Sequence, residues 1–287
     1  MKPAPFTYHR ARTVAQVPEL LADHGEDAKI IAGGQSLVPM MNFRLATPQH
    51  LVDIGRLREL SFLHTDDQGL HIGALVTHHL VETAPADVTG PGFDILRQAM
   101  GWVGHLPIRT RGTIGGSLAH GDSTAEWCLL AILFDAVIVA QGHQGRRRCI
   151  PAEELFLGFF ATTLKPEEIV IEVVFPRHAH HAAITEFAQR RGDFATVAAA
   201  VTLDVGQGAV HGGRLVLGGV AGTPQRIPEV EALLAQGRAG DMNLFADCAE
   251  AAATAIDPPD DPNGSSDYRR RLTRHLVATA CQEAMNR

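Results

Sequence analysis

Two glycine-centred stretches carry the residue types best suited to gripping a ligand. The earlier one, Ile31-Ala32-Gly33-Gly34-Gln35-Ser36-Leu37, closes a short β-type run. The later one lies within I-R-T-R-G-T-I-G-G-S-L-A-H-G-D-S-T-A-E, from Ile108 to Glu126, and centres on Thr113-Ile114-Gly115-Gly116-Ser117. Paired glycines reach conformations closed to other residues and let a ligand approach bare backbone amides. Hydroxyls at Thr113 and Ser117 can bond phosphate or sugar oxygens, and Arg109 and Arg111 stand just upstream as counter-charges. One glycine pair alone reads as a tight surface loop. Two, each followed by a hydroxyl, read as halves of one cradle. Neither matches G-x-G-x-x-G or G-x-x-x-x-G-K-[ST]. The expected ligand is a long anion held through backbone amides, a cofactor with a diphosphate.

Other reactive residue types do not assemble. The dense group His178, His180 and His181 lacks acidic or cysteine partners nearby in sequence and reads as a solvated linker, as do His78, His79 and the scattered histidines. No metal site is expected. Cys128, Cys149, Cys248 and Cys281 are far apart, which argues against an iron–sulfur cluster, a zinc site or a disulfide framework. Cys128, on an apolar run, reads as a small buried hydrophobe. No Ser/His/Asp or Cys/His arrangement supports nucleophilic catalysis, and no catalytic residue is expected.

These stretches need a scaffold of ordinary composition. The chain has 287 residues, 45% hydrophobic and 20% charged, with a formal net charge of −7. That balance suits a globular protein with a substantial core and does not suit nucleic-acid binding. There is no apolar span and no signal-type start, so a cytoplasmic location is expected. Thr13 is placed to cap a helix bearing Val17, Leu20 and Leu21; Ala28 to Ala32 and Leu51 to Ile54 read as strands flanking a helical piece from Ser36 to Arg44. A hairpin is expected around Asp66 to Gly69, helices from Thr77, from Phe93 to Val103 and from Cys128 to Phe134, and strands at Ala136–Ala140 and Ile169–Phe175. Beyond Pro176 come three antiparallel strands within Ile184–Val220, helices at Val230–Leu234 and Met242–Thr254, and a last helix capped near Ser265. The organisation is α+β, in two domains.

With those pieces in order, IIAGGQSLVPMMNFRLATPQHLVDI and IRTRGTIGGSLAHGDSTAEWC resemble the two signature segments of the medium, FAD-binding subunit of molybdenum hydroxylases. That group includes carbon monoxide dehydrogenase and, more distantly, xanthine dehydrogenase. The resemblance runs from F-x-Y-H at Phe6–His9 to S-D-Y-R-R at Ser266–Arg270. It implies a two-part FAD-binding domain of the vanillyl-alcohol-oxidase type over residues 1–176, with subdomains 1–55 and 56–176, and a smaller α+β domain, a three-stranded antiparallel sheet with helices, over 177–287. It also implies that Ala32 to Ser36, flanked by Ile31 and Leu37, wrap the FAD diphosphate. Thr113 to Ser117 would meet the cofactor from the other side, with Asp122 and Glu126 near its ribityl and adenosine parts. Ile169 and Phe194, the latter in R-R-G-D-F-A, would approach the isoalloxazine ring. Relatives often read A-D-P where this chain has Gly121-Asp122-Ser123, so the proline's stiffening is absent.

The resemblance further implies partner chains, because this one has neither the cysteines for clusters nor a molybdenum site. A small subunit would carry two [2Fe-2S] clusters and a large one the molybdenum cofactor, in a dimer of heterotrimers. This chain would collect electrons on FAD for an external acceptor. Two other readings stand beside it: a self-contained flavoenzyme acting directly on a small molecule, and a subunit that has kept the fold and lost FAD.

Overall fold

The structure, a computed structural model, describes residues 2–287; Met1, part of the expected first domain, lies outside the described residues. Strands β1 (Thr7–Arg10), β2 (Ala28–Ile31) and β3 (His50–Asp53) form a parallel sheet in the order β1-β3-β2, with α1 (Gln16–His24) and α2 (Leu37–Asn42) as crossovers. Val17 and Leu21, four apart on α1, share one buried face and join a core with Val52 and Ile54. Thr13 acts one turn ahead of that helix, its hydroxyl accepting from the Gln16 amide at 3.3 Å.

The middle sheet is antiparallel, ordered β4-β5-β10-β6-β7: β4 (Leu63–Asp66), β5 (Gly69–Gly73), β6 (Val137–Gln141), β7 (Arg147–Pro151) and β10 (Ile169–Phe175). Strands β8 (Phe156–Gly158) and β9 (Ala161–Thr162) make a separate small hairpin, preceded by α9 (Ala152–Leu155). Six helices fill the connection from β5 to β6: α3 (His78–Thr83), α4 (Ala86–Thr89), α5 (Asp94–Ala99), α6 (Leu106–Arg109), α7 (Ile114–His120) and α8 (Glu126–Leu133). The helix expected to reach Val103 stops at Ala99, before Gly101 and Gly104, the latter at φ 48°. Two edge strands, β1 and β7, were not expected. T-Y-H-R and R-R-C-I-P are polar, as solvent-facing sheet edges commonly are.

The third sheet pairs β11 (His181–Phe187), β12 (Val197–Gly206) and β13 (Ala209–Gly218) antiparallel. It is larger than the three strands expected, because two-residue strands β14 (Gln225–Arg226) and β15 (Arg238–Ala239) add to β13. Pieces that short carry no alternation to read. Helices α10 (Pro228–Leu234), α11 (Met242–Ala255) and α12 (Ser266–Met285) cover one face, and Ser265 caps α12 by accepting from the Tyr268 amide. No helix among the described residues is long and apolar enough to cross a membrane.

Strand β12 reads V-A-A-A-V because both its faces are buried. Val197, Ala199 and Val201 point into the core under α11 and α12, whereas Ala198 and Ala200 point into the core around α8. Alanines on that face leave room for α8, which packs on β12 and β13. Enclosed on all sides, α8 has no polar stripe: Trp127 through Leu133 are all buried, Cys128 among them as expected.

Arg269 of α12 holds one end of this sheet, where β12 begins and β13 ends. It is 3% exposed; its guanidinium donates to the Thr196 and Gly219 carbonyls and forms a two-pronged pair with Asp261 at 2.7 Å. Arg269→Met keeps the volume and removes every one of these donors. It is expected to destabilise the fold by about 3 kcal/mol, since two buried carbonyls and a carboxylate lose their partner. Urea denaturation reads this as a lower midpoint at unchanged slope; an unmoved midpoint would show that Arg269 contributes packing alone.

Candidate cofactor site

A cleft of about 860 Å³ opens where the end of β2, the start of α7 and the loop before β12 converge. Ile31 through Leu37 form one wall. Thr113, Gly115, Gly116, Ser117, Asp122 and Glu126 form another, and Ile169 and Phe194 border the space between them. The structure therefore gathers the sequence-selected residues into one place, with one exception. Ile114 faces away, fully buried in the core against the middle sheet.

The two glycine stretches differ in how their amides are used. Among the described residues, no acceptor in the protein meets the backbone N–H of Gly33, Gly34, Gln35, Ser36 or Leu37. Buried or half-buried amides are normally paired, so five consecutive unpaired donors on a cleft wall form a ready anion cradle. Gly34 makes the turn by adopting φ 73°. Gln35 stiffens it, its side-chain amide donating to the Gly33 carbonyl at 3.1 Å.

The second stretch is a helix start and not an open loop, which corrects the expectation of bare amides there. The Ile114 and Gly115 amides donate to the Val76 and Ala74 carbonyls at 3.1 and 3.0 Å, and Ser117 donates to the Thr113 carbonyl at 3.0 Å. The Thr113 hydroxyl, expected to bond phosphate or sugar, instead caps α7 by accepting from Gly116 at 3.1 Å. Arg109 is not a free counter-charge either. It pairs with Glu82 at 2.9 Å and donates to the Val103 and Gly104 carbonyls. Polar first-turn groups at a glycine-rich helix start are needed by the helix itself, and sequence alone does not separate that need from a ligand's.

Packing explains the glycines. A Cβ on Gly33 would collide with the Arg111 carbonyl, and one on Gly115 would lie 2.6 Å from the Ala74 Cβ. Both positions are small so that backbone can rest on backbone, a need separate from letting a ligand approach. Gly116, exposed on the cleft wall, is the member of that pair turned toward the cavity. Behind Gly112 stands His78, which is buried and not solvated as expected. Its backbone amide donates to the Gly112 carbonyl at 3.1 Å, and its Nδ1 accepts from Trp127 Nε1 at 2.9 Å. Burial, with the Arg109 charge behind it, holds His78 down to about 4, so the neutral ring carries its proton on Nε2.

The remaining positions provide shape and polarity. Asp122 is engaged with its own turn, accepting from the Thr124 amide and hydroxyl at 2.9 and 2.8 Å. Glu126 begins α8 and projects into the cleft; burial first, then the neighbouring Glu186, push its carboxyl up to about 8. Glu186 is raised by burial too, and its Oε2 has no hydrogen-bond partner. Ile169 is buried, whereas Phe194 is 73% exposed, an aromatic ring without cover at the cleft mouth. Sequence reading missed the cleft contributions of Lys165, Phe160 and His120. They come from the β8–β9 hairpin and its exit and from the far end of α7, where no motif marks them. Arg148 fixes that exit by pairing with Glu168 at 2.8 Å and donating to the Thr163 carbonyl at 2.7 Å.

Comparison with known proteins agrees with this geometry. Residues 4–178 match the family model described as the FAD binding domain in molybdopterin dehydrogenase, and residues 182–284 that of the CO dehydrogenase flavoprotein C-terminal domain. The chain is 40% identical to the 6-hydroxypseudooxynicotine dehydrogenase complex subunit alpha of Paenarthrobacter nicotinovorans, covering 100% of this chain and 97% of that one. It superimposes on a chain of carbon monoxide dehydrogenase from Hydrogenophaga pseudoflava with a TM-score of 0.93 and 34% identity, covering 100% and 99%. For quinoline 2-oxidoreductase from Pseudomonas putida 86 the TM-score is 0.92 at 34% identity, covering 99% and 100%. With two family models matching residues 4–178 and 182–284 and relatives aligned over nearly their whole length, this chain belongs to the medium, FAD-binding subunits of the molybdenum hydroxylase family.

Proposed function

We propose that this chain is the electron-exit subunit of a molybdenum hydroxylase, receiving electrons from the [2Fe-2S] clusters of a small subunit and delivering them to an external acceptor. A large subunit carries the molybdenum cofactor and oxidises the substrate; two such trimers pair, in the cytoplasm. The observation that supports this most is the row of five unpaired amides from Gly33 to Leu37 on the wall of a long cleft. That donor set fits a diphosphate, whose oxygens need several hydrogen bonds and no side-chain cation. FAD bound there supplies the one- and two-electron redox chemistry of the subunit. Substrate choice belongs to the partner chains, since relatives built on the same medium chain include enzymes named for carbon monoxide and for quinoline.

The chain's own residues bind and orient. Gly33 to Leu37 hold the diphosphate, and Ser117 with Gly116 closes on it from α7. Ile169 and Phe194 flank the flavin ring system, Phe194 exchanging water for a ring face. Glu126, neutral at physiological pH, offers an O–H donor on the cleft wall where an ionised carboxylate would repel the cofactor's phosphates.

Two outcomes test this reading. Purified from its native host, the chain is expected to travel with a small and a large companion and to show flavin bands over a broad iron–sulfur absorption. Flavin on a single chain would instead favour a self-contained flavoenzyme. Glu126 supplies a pH signature. Its pKa is raised on folding, so its contribution is full below the unfolded carboxylate value and is lost as pH climbs toward about 8. Glu126→Gln should melt near the wild-type temperature at about pH 5 and increasingly above it as pH rises through neutrality. A difference that shrinks with rising pH would mean that Glu126 is ionised in the fold.

A further inference from the structure

At the end of the first sheet remote from the glycine turn, three histidines meet. His9 lies on β1, His24 ends α1 and His50 begins β3. They are 15 and 26 residues apart in sequence, so no spacing motif marks them. One nitrogen from each ring lies within 4.8 Å of the others. His9 Nε2 stands 2.9 Å from His50 Nδ1, and the His24 and His50 rings stack at 3.8 Å, only 5° from parallel. All three are half-buried.

This grouping is poorly served by the protein alone. Among the described residues none of the three forms an ion pair with a carboxylate, although other histidines do. His71 shows the satisfied alternative: Nδ1 meets Glu172 at 2.7 Å and Nε2 meets Asp66 at 3.1 Å. In the N-terminal trio a single proton bridges His9 and His50, and among the described residues the His24 ring meets no hydrogen-bond partner. Mutual repulsion also works against charging.

We propose that His9, His24 and His50 bind a divalent transition-metal ion of the zinc type, clipping β1, α1 and β3 together. Neutral imidazole nitrogens are the donors such ions favour, and three of them leave a fourth tetrahedral position for water. Zinc–nitrogen bonds of about 2.0–2.1 Å place tetrahedral donors about 3.3 Å apart. The His9–His50 pair would open by a few tenths of an ångström, and the His24 ring would tilt out of its stack on His50, since two parallel rings cannot both hold one ion in their planes. The ion would sit at the opposite end of the sheet from the diphosphate cradle, so its role is to brace the sheet from which the cradle emerges and not to touch the cofactor.

The test is a titration of the untagged full chain with Zn²⁺ by calorimetry, repeated with Co²⁺ followed by visible absorption. One equivalent is expected to bind, and the cobalt form should show the intense visible bands of a tetrahedral site. His24→Gln and His50→Gln should each weaken Zn²⁺ binding at least tenfold. His64→Gln, in the separate group of His64, Asp66 and His71, should leave it unchanged. Absence of a bound equivalent, an octahedral cobalt spectrum, or equal affinity in the His24 and His50 variants would overturn the proposal. The wild-type cobalt spectrum decides the matter even if a variant folds poorly.

Discussion

Everything at the cofactor cleft depends on five backbone amides that the protein itself leaves unpaired. Gly33 to Leu37 come out of a parallel strand, turn at Gly34 and enter α2 without finding acceptors. A chain normally avoids such a row, because each unmet donor away from water costs free energy. Here the row is kept in place by close backbone packing. Gly33 rests on the Arg111–Gly112 backbone, and Gly112 in turn is backed by the buried ring of His78. The cradle is thus a property of two loops pressed together and of what stands behind them.

The same logic explains the distribution of work between the two glycine stretches. The one from Gly33 offers donors, while the one at Thr113 has spent its donors on the middle sheet and on its own cap. A fixed α7 gives the cleft a rigid opposite wall, with Gly116 and Ser117 facing the cavity. Rigidity propagates further through α8, enclosed between the middle sheet and the face of β12 that carries Ala198 and Ala200. Because α8 begins at Glu126, burial of its apolar body fixes a cleft carboxyl as well. The C-terminal sheet therefore contributes to the site from behind, by holding the helix that presents Glu126, and from the front, through the loop bearing Phe194.

Much of this was legible before any coordinates. The apolar, β-branched run Ile169–Phe175 and the length of Met242–Ala255 are strong local patterns, and both elements appear where they were expected. The glycine pairs with their hydroxyls pointed to a binding site, and residues far apart in sequence do converge on one cleft. The detail of who bonds to whom was not legible. The Thr113 cap is a local contact, but a hydroxyl ahead of a glycine pair serves a helix start or a ligand equally well; Arg109 as Glu82's partner and His78 as a buried acceptor depend on contacts between segments that no local pattern encodes. The histidine trio was hidden for the same reason, since three separate elements bring it together.

Amide hydrogen exchange, with and without FAD, tests the central claim most directly. Residues Gly33 to Leu37 should exchange fast in the free chain and slow markedly when FAD is added, because their donors are unpaired until then. Gly115 to Ser117, already bonded within the protein, should be slow in both states. Unchanged exchange at Gly33 to Leu37, with new protection confined to Gly115 to Ser117, would contradict the account and return the anion cradle to the second stretch.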